Sequence, residues 1–257
     1  MRGTSISFWK KAKAGGDGVD QRDFLAAKEA ALRDSGIGTL GEKSVHAVLK
    51  AAYEPHGENR EVAVGGYVAD ILGEDGIIEI QTRALWRLRE KLQAFLPVCP
   101  VTVVHPVYPV EWILRTDPDT GEVTRRRSSK KGRGSDVLSE LYPLREFLTD
   151  PGFHLRVVEL VTQRWDIGKA RGKKQHLDRE PLEFLHEWVL EQPEDYRELI
   201  PAGLPEEFTA EEFGKALHLR KDGGWKALAT LTVLGLVEQI GKSGRRNLYR
   251  LTKEGTE

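Results

Sequence analysis

The sequence predicts an α/β protein, a mixed sheet flanked by helices, followed by a smaller unit of two helices and a basic hairpin. Three observations lead there. Residues 62–82, VAVGGYVADILGEDGIIEIQT, hold three short apolar runs separated by Gly65-Gly66 and by Gly73-Glu74-Asp75-Gly76, the pattern of an antiparallel meander. A helical stretch then leads to Val101-Thr102-Val103-Val104, which is apolar on both faces and reads as an interior strand reached by a crossover. From Thr209 onward the pattern becomes helix, turn, helix, strand, turn, strand.

A chain of 257 residues suits one medium domain and one small one. No run approaches eighteen apolar residues, and the opening MRGTSISFWKK lacks the apolar centre of a signal peptide, so a cytoplasmic protein with no membrane partner is expected. The single cysteine, Cys99, excludes an internal disulfide and a multi-cysteine zinc site. A formal net charge of -1 excludes a globally basic nucleic-acid binder, so such binding must come from local patches.

In chain order, residues 1–18 are polar and glycine-rich and are expected to lack structure, while residues 20–34 carry Phe24, Leu25, Ala31 and Leu32 at helical spacing. Residues 1–37 thus form a polar tail and a helix. Thr39-Leu40-Gly41-Glu42 opens a second helix with Val45, Val48, Leu49 and Ala52 as its buried stripe. Glu42 lies at the edge of that stripe, where it serves as the third residue of a capping box, points toward whatever the helix packs on, or does both. Within the meander, Asp70 falls in the second strand and Glu79 and Gln81 in the third, on one face, with Ile78 and Ile80 on the other. Residues 83–96 read as a helix with Leu85, Leu88, Leu92 and Phe95 inward and its basic residues outward.

Residues 112–114 suggest another strand before a turn at 117–121, and residues 124–134, TRRRSSKKGRG, read as an exposed loop with six positive charges and no apolar anchor. A helix is expected over 138–148 and a strand over 154–161. The α/β domain spans 38–167. Residues 168–205 read as a basic linker, including KARGKK, and a bridging helix defined by Leu182, Leu185, Trp188 and Val189. In the last unit, 206–257, Thr209-Ala210-Glu211-Glu212 is a capping box, Trp225, Leu228, Leu231 and Leu234 mark the second helix, and Lys242 to Arg246 form the hairpin tip. Helix, turn, helix and basic hairpin is the layout of a winged helix-turn-helix. Its expected DNA contacts are Arg220, Lys221 and Lys226 at the second helix, which usually enters the major groove, and Lys242, Arg245 and Arg246 in the wing.

The carboxylates carry the chemistry. An Asp and a Glu inside runs rich in Val and Ile are costly unless paired, and two adjacent anions most naturally share a divalent cation. A helix bearing Glu42, a strand bearing Asp70 and a strand bearing Glu79-Ile80-Gln81 resemble the core of the PD-(D/E)XK nuclease superfamily. The resemblance implies a restriction-endonuclease-like sheet and metal-dependent cleavage of DNA, with Glu42, Asp70, Glu79 and Gln81 as catalytic residues and Asp70, Glu79 and Glu42 holding Mg2+ or Mn2+. Gln81 stands where that superfamily has lysine, as in some of its restriction enzymes, and Arg83 or Lys43 is the candidate for the missing cation. Residues 38–251 also resemble an uncharacterised bacterial family with this nuclease-like domain and a winged helix.

The bland alternative has Asp70 capping its turn and Glu79 facing solvent on an edge strand. His46 and His105 read first as packing residues, with a supporting role at the site as the alternative; Trp86, Trp112, Trp165 and Trp188 read as packing. The competing function is a non-catalytic DNA-binding protein or transcriptional regulator, and a third reading makes the last unit a protein-interaction domain. DNA is the expected partner in both main readings, with a possible homodimer left open.

Overall fold

The computed structural model describes residues 19–34, 44–169, 172–220 and 222–253. The chain is α/β, with a large mixed sheet flanked by helices. β1 (Arg60–Val64), β2 (Tyr67–Gly73) and β3 (Gly76–Ile80) form the expected antiparallel meander. Gly76 begins β3 with φ +124°, and a Cβ there would sit 2.3 Å from the Pro100 carbonyl oxygen, so only glycine lets the meander approach the next strand this closely. The crossover consists of a 3₁₀ turn, Leu85–Leu88, and α3 (Arg89–Phe95). It delivers β4 (Val101–Thr116) parallel to β3, with Ile77 opposite Val101.

β4 continues through Pro106 and Pro109, its register shifting between Val107 and Val110, so the run at 112–114 is the far half of the same strand. β6 (Phe153–Ile167) pairs parallel to β4 and β7 (Gln175–Leu190) antiparallel to β6. The order is β1-β2-β3-β4-β6-β7, with β5 (Val123–Arg127) on the far half of β4. Residues 123–127 are therefore a strand, and only the rest of the basic run is a loop.

The expected bridging helix is β7. Leu182, Leu185, Trp188 and Val189 satisfy a helical period, yet Leu185 and Val189 are exposed on an edge strand, and Pro181 sits at a register shift where a missing N–H does no harm. The expected helix over 138–148 shortens to α4 (Val137–Glu140) and a 3₁₀ turn, Tyr142–Leu144, because Pro143 cannot continue it. Trp86 is 58% exposed and Trp165 partly exposed, so neither is the packing residue expected.

Apolar side chains cover both faces of the sheet. On one, α1 (Gln21–Asp34) and α2 (Ser44–Tyr53) pack Phe24, Val45, Val48 and Leu49 onto Ile71, Ile80, Val104 and Val158. The Asp178 carboxylate of β7 accepts from the Ser44 backbone N–H and hydroxyl and so caps α2. On the other, α3 and α4 cover Ile77, Val101, Val103 and Val157.

The C-terminal unit joins this second core. β8 (Phe208–Thr209), α5 (Ala210–Ala216), α6 (Gly223–Val233), β9 (Val237–Ser243) and β10 (Arg246–Leu251) follow in order, the strands forming an antiparallel sheet β8-β10-β9. The Thr209 hydroxyl accepts from the Glu212 N–H and the Glu212 carboxylate from the Thr209 N–H, the reciprocal cap expected from TAEE. α6 packs on α4, and the Trp225 ring lies 4.9 Å from that of Tyr142. Among the described residues no helix is long and apolar enough to cross a membrane.

Candidate functional site

The site forms where the meander opens. β2 and β3 are paired from Gly73–Gly76 back to Ile71–Ile78, and Asp70 and Glu79 come next across the strands. Here side chains replace the ladder: the Glu79 carboxylate accepts from the Asp70 backbone N–H (3.3 Å), and the Asp70 carboxylate accepts from the Ile80 N–H (2.8 Å). On the other side, Glu61 of β1 has φ +56° and interrupts the pairing of β1 with β2 opposite Asp70. Two acids thus sit between spread strands, sharing backbone donors that a regular sheet would consume.

Helices from opposite faces reach this gap. α3 brings Lys91, whose ammonium donates to both Glu79 oxygens (2.8 and 3.0 Å) and to the Val68 carbonyl (2.8 Å). α2 brings His46, with Nε2 3.2 Å from Asp70 Oδ2. Glu79 is 2% exposed, which rules out the solvent-facing edge position of the bland reading.

Burial and charge separate the two acids. Burial pushes the Glu79 carboxyl above its ordinary range; Lys91 pulls it back and the neighbouring Asp70 charge raises it again. Asp70 also feels burial, but the hydrogen bond and charge of His46 and the Ile80 N–H outweigh it and hold its carboxyl low. The same gap thus shifts its two acids in opposite directions, Asp70 down and Glu79 up.

Lys91 is the residue that sequence reasoning missed. The signal was present: Lys91 lies three residues after Leu88 and four before Phe95, which places it on the apolar stripe of its own helix. Of the cations named for the role, Arg83 lines a neighbouring cleft, and Lys43 lies outside the described residues, as do Glu42 and Lys221. Gln81 follows the end of β3, and its side-chain amide donates to the carbonyls of Arg83 and Ala84, holding the turn into the crossover. Among the described residues no three His, Cys, Asp or Glu side chains cluster as metal ligands.

Beyond Glu79, β3 leads directly into a basic cleft. Thr82 and Arg83 form one edge, His105 to Tyr108 of β4 the floor, the loop Ser129–Arg133 one wall, and His218–Arg220, between α5 and α6, the other. It encloses about 680 Å³ and is lined by seven arginines and lysines against three carboxylates. Two of those guanidiniums, Arg164 and Arg179, are fixed by buried Glu111 at 2.9 Å each. His105 Nδ1 lies 2.7 Å from the Gln81 carbonyl oxygen, tying the floor to the strand that carries Glu79, and burial lowers its pKa.

The basic loop is anchored by glycines. The Gly132 N–H donates to the Tyr108 carbonyl (3.0 Å), and a Cβ at Gly132 would lie 2.7 Å from the Tyr108 nitrogen; one at Gly134 would lie 2.6 Å from the Trp188 ring. Of the cations expected in the C-terminal unit, Arg220 points to the cleft, Lys226 pairs with Asp222 (2.8 Å) and Arg246 with Glu211 (3.0 Å). Lys242 and Arg245 are exposed at the hairpin tip. Trp225, Ala229, Thr232 and Val233 of α6 look across narrow cavities onto Tyr142 and Arg145.

A protein of Treponema pallidum (strain Nichols), described as uncharacterized, is 31% identical over 234 residues, covering 85% of this chain and 89% of its own. No solved structure gives a significant match. The family model that matches, described as a domain of unknown function (DUF8091), covers residues 43–191, which takes in Asp70, Glu79, Lys91, His46 and the basic loop. More than half of its length lies in that match, and the chain belongs to the DUF8091 family.

Proposed function

We propose that this chain is a metal-dependent phosphodiesterase that cleaves DNA, a nuclease of PD-(D/E)XK type with a C-terminal winged helix. The observation that carries the reading is the meeting of Asp70, Glu79 and the Lys91 ammonium where β2 and β3 separate. Lys91 supplies, from α3, the positive charge that Gln81 lacks.

The two carboxylates are the chemistry that a hard divalent cation would take. Asp70 and Glu79 would hold it, since magnesium is commonly bound through one or two carboxylates, with waters and substrate phosphate completing its shell. Asp70 Oδ1 makes no hydrogen bond among the described residues, and each carboxylate reaches the backbone N–H beside the other, Glu79 to Asp70 and Asp70 to Ile80. When bound, such a cation withdraws charge from a phosphate oxygen and lowers the pKa of water. Lys91 opposes the upward push of burial on Glu79 and presents a cation to the phosphoryl group. His46 holds the Asp70 carboxylate in one orientation. The order of α5, α6 and the β9–β10 hairpin supports the winged helix, and since α6 faces α4 and Tyr142, its DNA contacts fall to the hairpin tip at Lys242 and Arg245.

The test is incubation of the purified chain with supercoiled, linear and single-stranded DNA in Mg2+ or Mn2+. Nicking or shortening is expected, abolished by Asp70→Asn or Glu79→Gln and reduced about 100-fold or more by Lys91→Ala, the scale of losing one charge-stabilising donor. Intact DNA under every condition rejects the reading. One feature favours the non-catalytic alternative: both Glu79 oxygens are already satisfied by Lys91. That alternative requires DNA binding without cleavage.

A further inference from the structure

We infer that the basic cleft beside the carboxylate site binds a single nucleic-acid strand through its phosphates, so that the substrate is a strand or a flap rather than an intact duplex. The cleavage half rests on the proposed function; the binding half does not. Three features point the same way.

The first is size. About 680 Å³, closed by walls on two sides, falls within the 300–1,000 Å³ typical of pockets that enclose a small ligand. That accommodates a short piece of strand, whereas a duplex, whose grooves alone are about 12 and 6 Å wide, has to lie across a surface.

The second is charge. The seven cations on the lining exceed the three carboxylates in a chain whose net charge is -1, so the positive potential is local and focused between low-dielectric walls. With Arg164 and Arg179 occupied by Glu111, Arg83, Lys130, Lys131, Arg133 and Arg220 remain to meet phosphates. The face of Tyr108, an aromatic ring on the lining, is covered by Arg179 at 4.1 Å, so contacts fall on the backbone and not on the bases.

The third is construction. The basic loop is held against Tyr108 and Trp188 by glycines that admit no side chain, and the opposite wall, the connection between α5 and α6, is tied by the Leu219 N–H to the Gly214 carbonyl (2.8 Å) and by the Gly223 N–H to the Arg220 carbonyl (3.0 Å). The cations are therefore presented in place rather than on a free loop. Thr82 at the cleft edge lies three positions beyond Glu79, at most roughly 10 Å of chain, so a strand lying in the cleft has its next phosphates near Asp70 and Glu79.

The experiment uses the full chain in EDTA, with binding of a fluorescein-labelled oligo-dT 20-mer and of a blunt 20-base-pair duplex followed by anisotropy across salt. In a chain whose hairpin tip is neutralised by Lys242→Ala and Arg245→Ala, so that only the cleft is compared, the strand should bind at least 10-fold more tightly than the duplex. Combined Lys130→Ala, Lys131→Ala and Arg220→Ala should weaken strand binding at least 10-fold and lower the log–log salt slope by about 2, near 0.7 per lost contact. Circular dichroism of the triple variant guards against misfolding, and a Lys130→Arg, Lys131→Arg pair should restore most of the affinity. Duplex binding equal to or tighter than strand binding in the tip-neutralised chain, or a triple variant that folds and binds the strand normally, overturns the inference. Because the binding assay contains no metal, strand binding here together with intact DNA in the Mg2+ and Mn2+ incubations would reject the nuclease and leave the cleft standing.

Discussion

Lys91 is a buried acid's only ammonium partner in the described site, and its removal has a dated consequence in pH. Lys91→Ala leaves Glu79 buried without a cation, and since Lys91 is itself 27% exposed the expected loss is about 1–3 kcal/mol, the cost of stranding a buried polar group. The Glu79 carboxyl is already raised by burial, and losing Lys91 raises it further. A carboxyl with a raised folded pKa contributes stability below its unfolded value of about 4.5 that is lost as pH rises through the folded one. The deficit of the variant should therefore shrink between pH 7 and pH 5, as read by urea denaturation at both. A deficit independent of pH would mean that Glu79 does not depend on Lys91.

His105 titrates in the opposite sense. Burial lowers its pKa, with Glu140 and the Gln81 carbonyl acting against that, so it folds neutral. Its contribution is present above 6.5 and is lost as pH falls through the lower folded value. His105→Gln should flatten the decline in stability between pH 6.5 and pH 5. An unchanged slope would remove His105 as its cause.

At the scale of elements, the meander, its crossover and the capped α5 were legible because each is specified locally, by glycine turns, a proline stop or a reciprocal cap. The errors came where tertiary contacts overrode local pattern. β7 carries apolar residues at helical spacing, but pairing with β6 along its whole length decides its conformation. β5 has four polar or charged residues of five and is a strand only because the far half of β4 offers it an edge. The carboxylates were legible as polar breaks in apolar strands, whereas their cation sat unrecognised on a helix stripe and the basic loop's anchors were glycines, which leave no apolar signal. Those anchors make a sharp prediction. Gly134→Ala drives a methyl into the Trp188 ring and should cost about 1–3 kcal/mol by overpacking, measurable as a lower thermal midpoint. If the loop were free, the substitution would be neutral.

For the whole molecule, the net charge of -1 hides opposite surfaces, and the exposed tip at Lys242 and Arg245 is separate from the cleft cations. If the tip meets duplex phosphates, neutralising Arg245 and Arg246 together should lower the log–log salt slope of duplex binding by up to about 1.8, equally for unrelated sequences. Arg246 already pairs with Glu211, so the smaller part of that change belongs to it. An unaltered slope would favour the interaction-module reading of this unit. Phe208, Phe213, Leu228 and Leu231 share one apolar cluster with Leu138, Leu141 and Leu144. The C-terminal unit and the α/β body should accordingly unfold in a single calorimetric transition, and two resolved transitions would contradict the shared core.

The placement of β4 between two parallel neighbours also sets how the chain acquires its shape. Ile77 must find Val101 across the crossover, and Val101 must find Phe153 across β5, the basic loop and α4, before the central strand is bonded on both edges. Neither contact is rewarded until a long loop has closed, so refolding should fall in the slow range of milliseconds to seconds. Until β6 arrives, β4 presents a long apolar edge able to pair with another copy, and the yield of refolding should drop as protein concentration rises.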